Sequence, residues 1–155
     1  MMANWLDGYA ILTGCIEDIS TFIATGMRYQ GEPVHVKVEK NHIVFPDGFI
    51  PEDLHILGTA CAFIGFESKH DIKNTDTPDV YKVSVTWDQV DGLKAEELST
   101  IAERYNLAIE AEGIVFDLEF KQHIIVNGLG ELLLNEYIEY HREDYDPYDD
   151  FKKIK

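Results

Sequence analysis

An α+β fold is predicted by three observations: two strand-then-helix patterns, a further run of alternating apolar residues after the second of them, and a composition able to fill one core. Residues 81–87 put Tyr81, Val83, Val85 and Trp87 on one side of a strand. A turn then leads into a helix with Leu93, Leu98, Ile101, Ala102 and Tyr105 along one stripe. The other unit runs through Tyr9, Ile11 and Thr13, breaks at Gly14, and continues as a helix that buries Ile16, Ile19, Phe22 and Ile23. Two β-α units in one small chain imply the split β-α-β arrangement of ferredoxin-like type. The expectation is an antiparallel sheet with two helices packed on one face, followed by an acidic C-terminal extension. Residues 1–140 form a single α+β domain in this reading, and residues 141–155 an acidic, Tyr-containing tail.

A chain of 155 residues that is 45% hydrophobic is long enough for one substantial core. Its 29 Asp and Glu against 13 Lys and Arg give a formal charge of -16, which disfavours direct binding to phosphate backbones or anionic membranes. It has no long apolar run and no signal-peptide pattern, so the expected location is the cytoplasm. Cys15 and Cys61 lack CxxC spacing and read as two buried free thiols.

Within the first helix Glu17 and Asp18 favour the N-terminal end of the dipole, and Gly26 marks its close. Val34, Val36 and Val38, then Ile43 to Phe45, fit a hairpin turning near Lys40 and Asn41. His35 and His42 could approach across it, but no third ligand is fixed by spacing. Residues 46–57 read as a loop with at most a short helical turn. The run 58–66 fits a buried strand or a buried helix, with a lean to strand, and 69–78 reads as a polar surface loop. Asp76 and Asp79 beside Thr75 and Thr77 lack the ligand spacing of a calcium loop.

After the second helix Leu107 and Ile109 begin a strand and Gly113 makes a turn. Ile114, Phe116, Leu118 and Phe120 then alternate with polar partners. Asp117 and Glu119, with Glu110 and Glu112 across the turn, form an acidic outer surface on this ribbon. Asn127-Gly128 is a turn signal, and 132–140 fits a strand or a helix, with Glu131, Glu136, Glu139 and Glu143 on one face if helical. In the tail Glu143, Asp144, Asp146, Asp149 and Asp150 interleave with Tyr145, Tyr148 and Phe151. Such a block is either a solvated tail or a segment that docks on a basic groove.

No Gly-rich phosphate loop, HExxH, GxSxG or Cys-His motif is present, so neither catalytic residues nor cofactor or metal ligands are assigned. Paired carboxylates are expected by composition alone in so acidic a chain.

Several stretches resemble the YubB-type ferredoxin-like domain family of plasmid and phage proteins. They are Ala3-Asn4-Trp5 followed by Ala10 to Gly14 and Asp18 to Phe22, the Pro51-Glu52-Asp53-Leu54 connection, Gly65 to Asp71, and Thr86-Trp87 before the helix to Tyr105. The likeness spans about residues 3–127. Phe66 and His70 stand where the family has a Trp pair, and its prolines after the strand ending at Trp87 are missing. The resemblance implies a ferredoxin-like fold and a mobile-element origin, without an assigned activity.

Between Glu110 and Phe151 there are 12 acids against Lys121 and Arg142. The expected function is therefore non-enzymatic: a phage or plasmid protein that inhibits a host nucleic-acid-binding or defence protein (an anti-defence role), with carboxylates standing where the target expects phosphates. Its partner would be a host protein with a basic surface, met by Glu110, Glu112, Asp117, Glu119, Glu136, Glu139, Glu143 and the tail residues Asp144, Tyr145, Asp146, Tyr148, Asp149 and Asp150. The alternative is a small binding module, oligomeric through an exposed sheet edge, whose acidity serves solubility.

Overall fold

The computed structural model describes residues 4–141 and Glu143. In chain order the elements are β1 (Trp5–Gly14), α1 (Ile16–Thr25), β2 (Met27–Tyr29), β3 (Glu32–Pro33), β4 (Lys37–Glu39), β5 (His42–Val44), β6 (Leu54–Ile56), β7 (Ala62–Gly65), β8 (Lys69–Asp71), β9 (Lys73–Asn74), β10 (Tyr81–Val90), α2 (Ala95–Tyr105), β11 (Ala108–Val115), β12 (Phe120–Val126) and β13 (Leu132–Glu139). The architecture is α+β. A 10-stranded antiparallel sheet runs in the order β13-β12-β11-β1-β10-β7-β6-β2-β3, with β9 paired to the start of β10. A second sheet has the order β4-β5-β8. This is more elaborate than a plain βαββαβ chain, because β2 to β6 lie between α1 and β7, and β12 and β13 widen the sheet beyond β11.

Both helices pack on one side. The Phe22 and Tyr105 rings meet at 5.1 Å, and Asn106 Nδ2 donates to Asp18 at 3.4 Å, so α1 and α2 lie side by side. Their buried stripes are Ile19, Phe22 and Ile23, then Leu98, Ile101 and Ala102, as the periodicity predicts; Ile16 and Tyr105 are only half-buried, and Leu93 is buried but lies ahead of α2. Each helix ends as its cap residue requires. Gly26 donates its N–H to Phe22, and Asn106 takes the left-handed conformation (φ 52°) that Asn tolerates well. The strands supply the rest of the core from alternate positions, including Leu6, Ala10 and Leu12 of β1 and Val83, Val85 and Trp87 of β10. Gln89 is the buried polar residue among them. Its side chain accepts from Trp87 Nε1 at 3.2 Å and donates to Glu97 at 2.7 Å, which ties β10 to α2.

Several expectations are corrected. β1 begins at Trp5, and it is Leu6, Ala10 and Leu12 that face the helices, while Tyr9 is buried on the opposite side against Ile114 and Tyr140. Gly113 is not a turn. It lies within β11 opposite Gly8, and a Cβ there would fall on the Leu6 side chain, so the glycine serves close packing. The turn comes at 116–119, closed by Glu119 N–H donating to Phe116 at 3.2 Å, with Phe116 41% and Leu118 53% exposed. The clean alternation of 114–121 is therefore broken in the middle. The stretch 46–57 ends in strand β6 rather than a helical turn, and 69–78 contains β8 and β9. The run 58–66 supplies β7. The predicted hairpin is found, with Glu39 opposite His42 and Lys40 at φ 53° in its turn.

Residues 132–139 are strand, not helix, so the common helical face of Glu131, Glu136, Glu139 and Glu143 does not form. Leu133 is the extra residue of a bulge, since Val126 pairs with Leu132 and Ile125 with Leu134. Cys15 is half-buried and Cys61 exposed, contrary to the buried thiols expected. Cys15 caps α1 and its thiol donates to Asp18 at 3.0 Å.

Candidate functional site

The sheet face away from the helices carries the polar alternate positions of the same strands. On β10 these are Lys82, Ser84, Thr86 and Asp88, and on β1 Asp7, Tyr9 and Ile11. Register brings distant residues together: Asp7 lies directly opposite Asp88, and Lys82 opposite Lys73 of β9. Asp53 joins the acidic pair from the loop before β6, held in the left-handed region at φ 55°. That loop is anchored by Phe66 N–H donating to Pro51 at 2.7 Å.

Asp7, Asp53 and Asp88 line a cleft of about 470 Å³ with Trp5 and Phe63. The two rings are 5.9 Å apart and tilted by 47°, and Trp5 is 48% exposed. Burial, then the neighbouring Asp7 and Asp53 charges, push the Asp88 carboxyl above its ordinary range, against a weak bond from Gly8 N–H at 3.4 Å. A cationic group entering here would relieve that repulsion and find aromatic surface beside it. The same three acids also border a longer cleft of about 770 Å³ that extends along β10 to Lys73, Lys82 and His70. Gly65 keeps its middle open, because a Cβ there would meet the Thr86 hydroxyl.

His70 is not poised for proton transfer. Glu67 N–H donates to its Nδ1 at 2.9 Å, so the proton sits on Nε2, which donates to the Ser84 carbonyl at 2.5 Å. Both nitrogens hold backbone, and burial lowers its pKa. Its edge packs on Phe66 at 5.2 Å.

The residues expected to meet a partner are dispersed. Glu110 accepts from His123 Nε2 at 2.6 Å. Glu112, only 8% exposed, faces Tyr9, whose hydroxyl burial and the Glu112 and Glu110 charges hold protonated well above the usual phenol range. The acidic outer surface predicted there is thus partly interior. Asp117 and Glu119 sit in the 116–119 turn, with Glu119 3.5 Å from His141. Glu136 faces His123 across β12 and β13, whereas Glu139 faces Phe120 on the other side of the sheet. Glu143 is exposed. Asp144, Tyr145, Asp146, Tyr148, Asp149 and Asp150 lie outside the described residues. His35 is exposed and His42 pairs instead with Asp71 at 2.9 Å. Among the described residues no group of three or more His, Cys, Asp or Glu side chains could hold a metal ion, and no helix is long and apolar enough to cross a membrane.

The acidic cleft was missed because its members come from three places in the chain. The alternation of β10 marks Lys82 to Asp88 as one polar face, but only pairing reveals what stands opposite. Comparison with known protein families, curated sequences and solved structures finds no match.

Proposed function

We propose that this chain is a non-enzymatic binding protein that captures a partner with a basic surface on the helix-free face of its sheet. The observation that carries this reading is the convergence of Asp7, Asp53 and Asp88 beside exposed Trp5 and half-buried Phe63 in one cleft. Carboxylates attract a Lys or Arg side chain, and the rings give it contact area and cation–π attraction. The net charge of -16 steers basic partners and repels nucleic acid and anionic membrane. With the resemblance to mobile-element proteins, this points to a phage or plasmid protein acting in the host cytosol on a nucleic-acid-binding or defence protein, in the place of its phosphate ligand. The strand order β11-β1-β10-β7, with α1 leaving β1 and α2 leaving β10, supports a ferredoxin-like core enlarged at both ends.

The test is competition. A strongly basic DNA-binding protein is loaded with labelled duplex, and the full-length chain is added at low and high salt. Salt-sensitive release of the duplex is expected, weakened in Asp53→Asn/Asp88→Asn. Release that is equal for that variant would remove the cleft from the mechanism, and no release at any salt would end the phosphate-replacement reading.

A second reading, a small self-associating module, is favoured by β13, an eight-residue edge strand exposing Leu132, Leu133, Tyr137 and Ile138. Sedimentation at several salt concentrations separates the two, since self-association through an apolar edge persists in high salt.

A further inference from the structure

The longer cleft carries opposite charge at its two ends. At one end Lys82 of β10 stands directly opposite Lys73 of β9, and at the other Asp88 of β10 stands directly opposite Asp7 of β1. Like charges placed opposite each other in an antiparallel pair repel. This fold sets one such pair of each sign on the same face of the same strand, and no ion pair among the described residues offsets either. On β10 itself Ser84 and Thr86 lie between them, offering hydroxyls, while Glu52 and Glu67 add carboxylates to the cleft lining outside that strand. The cleft that joins the ends, about 770 Å³, is within the usual size of ligand sites.

The ends are six residues apart along an extended strand, roughly 20 Å at about 3.3 Å per residue. A small zwitterion cannot reach both, and a nucleic acid strand would be repelled at the aspartates. An extended polypeptide of six or seven residues spans that distance. We propose that the cleft along β10 binds an extended segment of the partner protein that is itself dipolar, with a Lys or Arg side chain at the Asp7/Asp88 end and a carboxylate at the Lys73/Lys82 end. This rests on the reading of the acidic end given above and adds to it the anionic contact and the spacing.

Titration of the full-length chain with three capped heptapeptides tests it. All share a neutral Ser/Thr/Gly centre and carry Arg and Asp, Arg and Arg, or Asp and Asp at the ends. The dipolar peptide should bind roughly 1.5-fold to fivefold tighter than the Arg/Arg peptide, the range exposed charge pairs give. In Lys73→Glu/Lys82→Glu, folding checked by circular dichroism, the preference should reverse toward Arg/Arg. Lys82→Ala alone, an exposed substitution, should shrink the discrimination should the double variant not fold. Equal binding of the dipolar and Arg/Arg peptides, with both lost in Asp53→Asn/Asp88→Asn, would overturn the dipolar inference and leave the basic-partner reading standing. Tightest binding of Asp/Asp, or no binding of any peptide, would overturn the inference, and duplex competition would then decide the fate of the other reading by itself.

Discussion

On its helix-covered side β10 presents Val83, Val85, Trp87 and Gln89, and every one is buried. On its other side the same strand presents Lys82, Ser84, Thr86 and Asp88, of which only Asp88 is half-buried. The first set is what a strand needs in order to fold, since each residue removes apolar surface from water or completes a buried hydrogen bond. The second set buries little surface, and its two charged members each face a like charge. A protein of 29 acids could easily have set a carboxylate opposite Lys82. Charge left uncompensated on a face with clefts is the ground on which that face is proposed as a binding surface.

The sharpest way to break this comparison is to truncate neighbouring positions on opposite faces. Trp87→Ala should cost about 3–5 kcal/mol in denaturant unfolding, because it empties a fully buried ring site and removes the donor that holds Gln89. Ser84→Ala, three residues away on the other face, should stay within about 0.5 kcal/mol. A comparable loss at both would show that the helix-free face is structural after all.

Gly113→Ala ranks next, at about 1–3 kcal/mol, since the new methyl must displace Leu6 from a filled site. Gln89→Ala should cost a similar amount, about 1–3 kcal/mol, by leaving Trp87 Nε1 and Glu97 without their partner. Either effect is read as a shift of the unfolding midpoint without a change of slope.

Acid titration sharpens the contrast, because His70 and Asp88 act in opposite directions. Burial lowers the His70 pKa below its ordinary 6.5, so the unfolded chain takes up the proton first. The stability His70 contributes is complete above pH 6.5 and falls away as the pH drops through the folded value. The Asp88 pKa is raised above 3.8 by burial and by Asp7 and Asp53. Its favourable contribution is present below 3.8 and is lost as the pH rises through the folded value. His70→Gln should therefore flatten the pH dependence of the melting temperature just below neutrality, and Asp88→Asn should flatten it in the acid range. Opposite signs would mean that these groups are not held as described.

The smallest effect belongs to Lys82→Ala, whose stability should change by no more than about 0.5 kcal/mol and toward greater stability, as relief of the Lys73 repulsion requires. Its larger consequence should appear in peptide binding.

The helix-covered side was legible in the sequence because period 2 and period 3.6 are properties of neighbours along the chain. Val83, Val85 and Trp87 announce a strand, and Ile19, Phe22 and Ile23 announce a helix stripe, without reference to anything distant. The short strands β2 to β9, two to four residues each, hold too few alternations for a period to register. Gly113 misled because glycine serves both turns and close approach, and only Leu6, more than a hundred positions earlier, distinguishes the two uses. Phe116 and Leu118 keep the alternation of a buried strand while lying in an exposed turn, since nothing within 114–121 marks where pairing stops. The cleft was hidden for the same reason. Asp7 and Asp88 are 81 positions apart, and carboxylates are so frequent here that their encounter carries no signal until the register is known.

The ends of the sheet have a consequence of their own. One edge is β3, two residues long and ending in Pro33, which has no N–H to offer. The other is β13, where the extra residue Leu133 interrupts the alternation and leaves six regular positions, with Glu136 and Glu139 pointing to opposite faces. An incoming strand meets a break in register on one edge and a missing donor on the other. Neither edge can serve as the repeating template of a fibre. Any association through the exposed Leu132, Leu133, Tyr137 and Ile138 is thereby confined to closed assemblies, and deleting Leu133, which would straighten the edge, should bring precipitation at concentrations the intact chain tolerates.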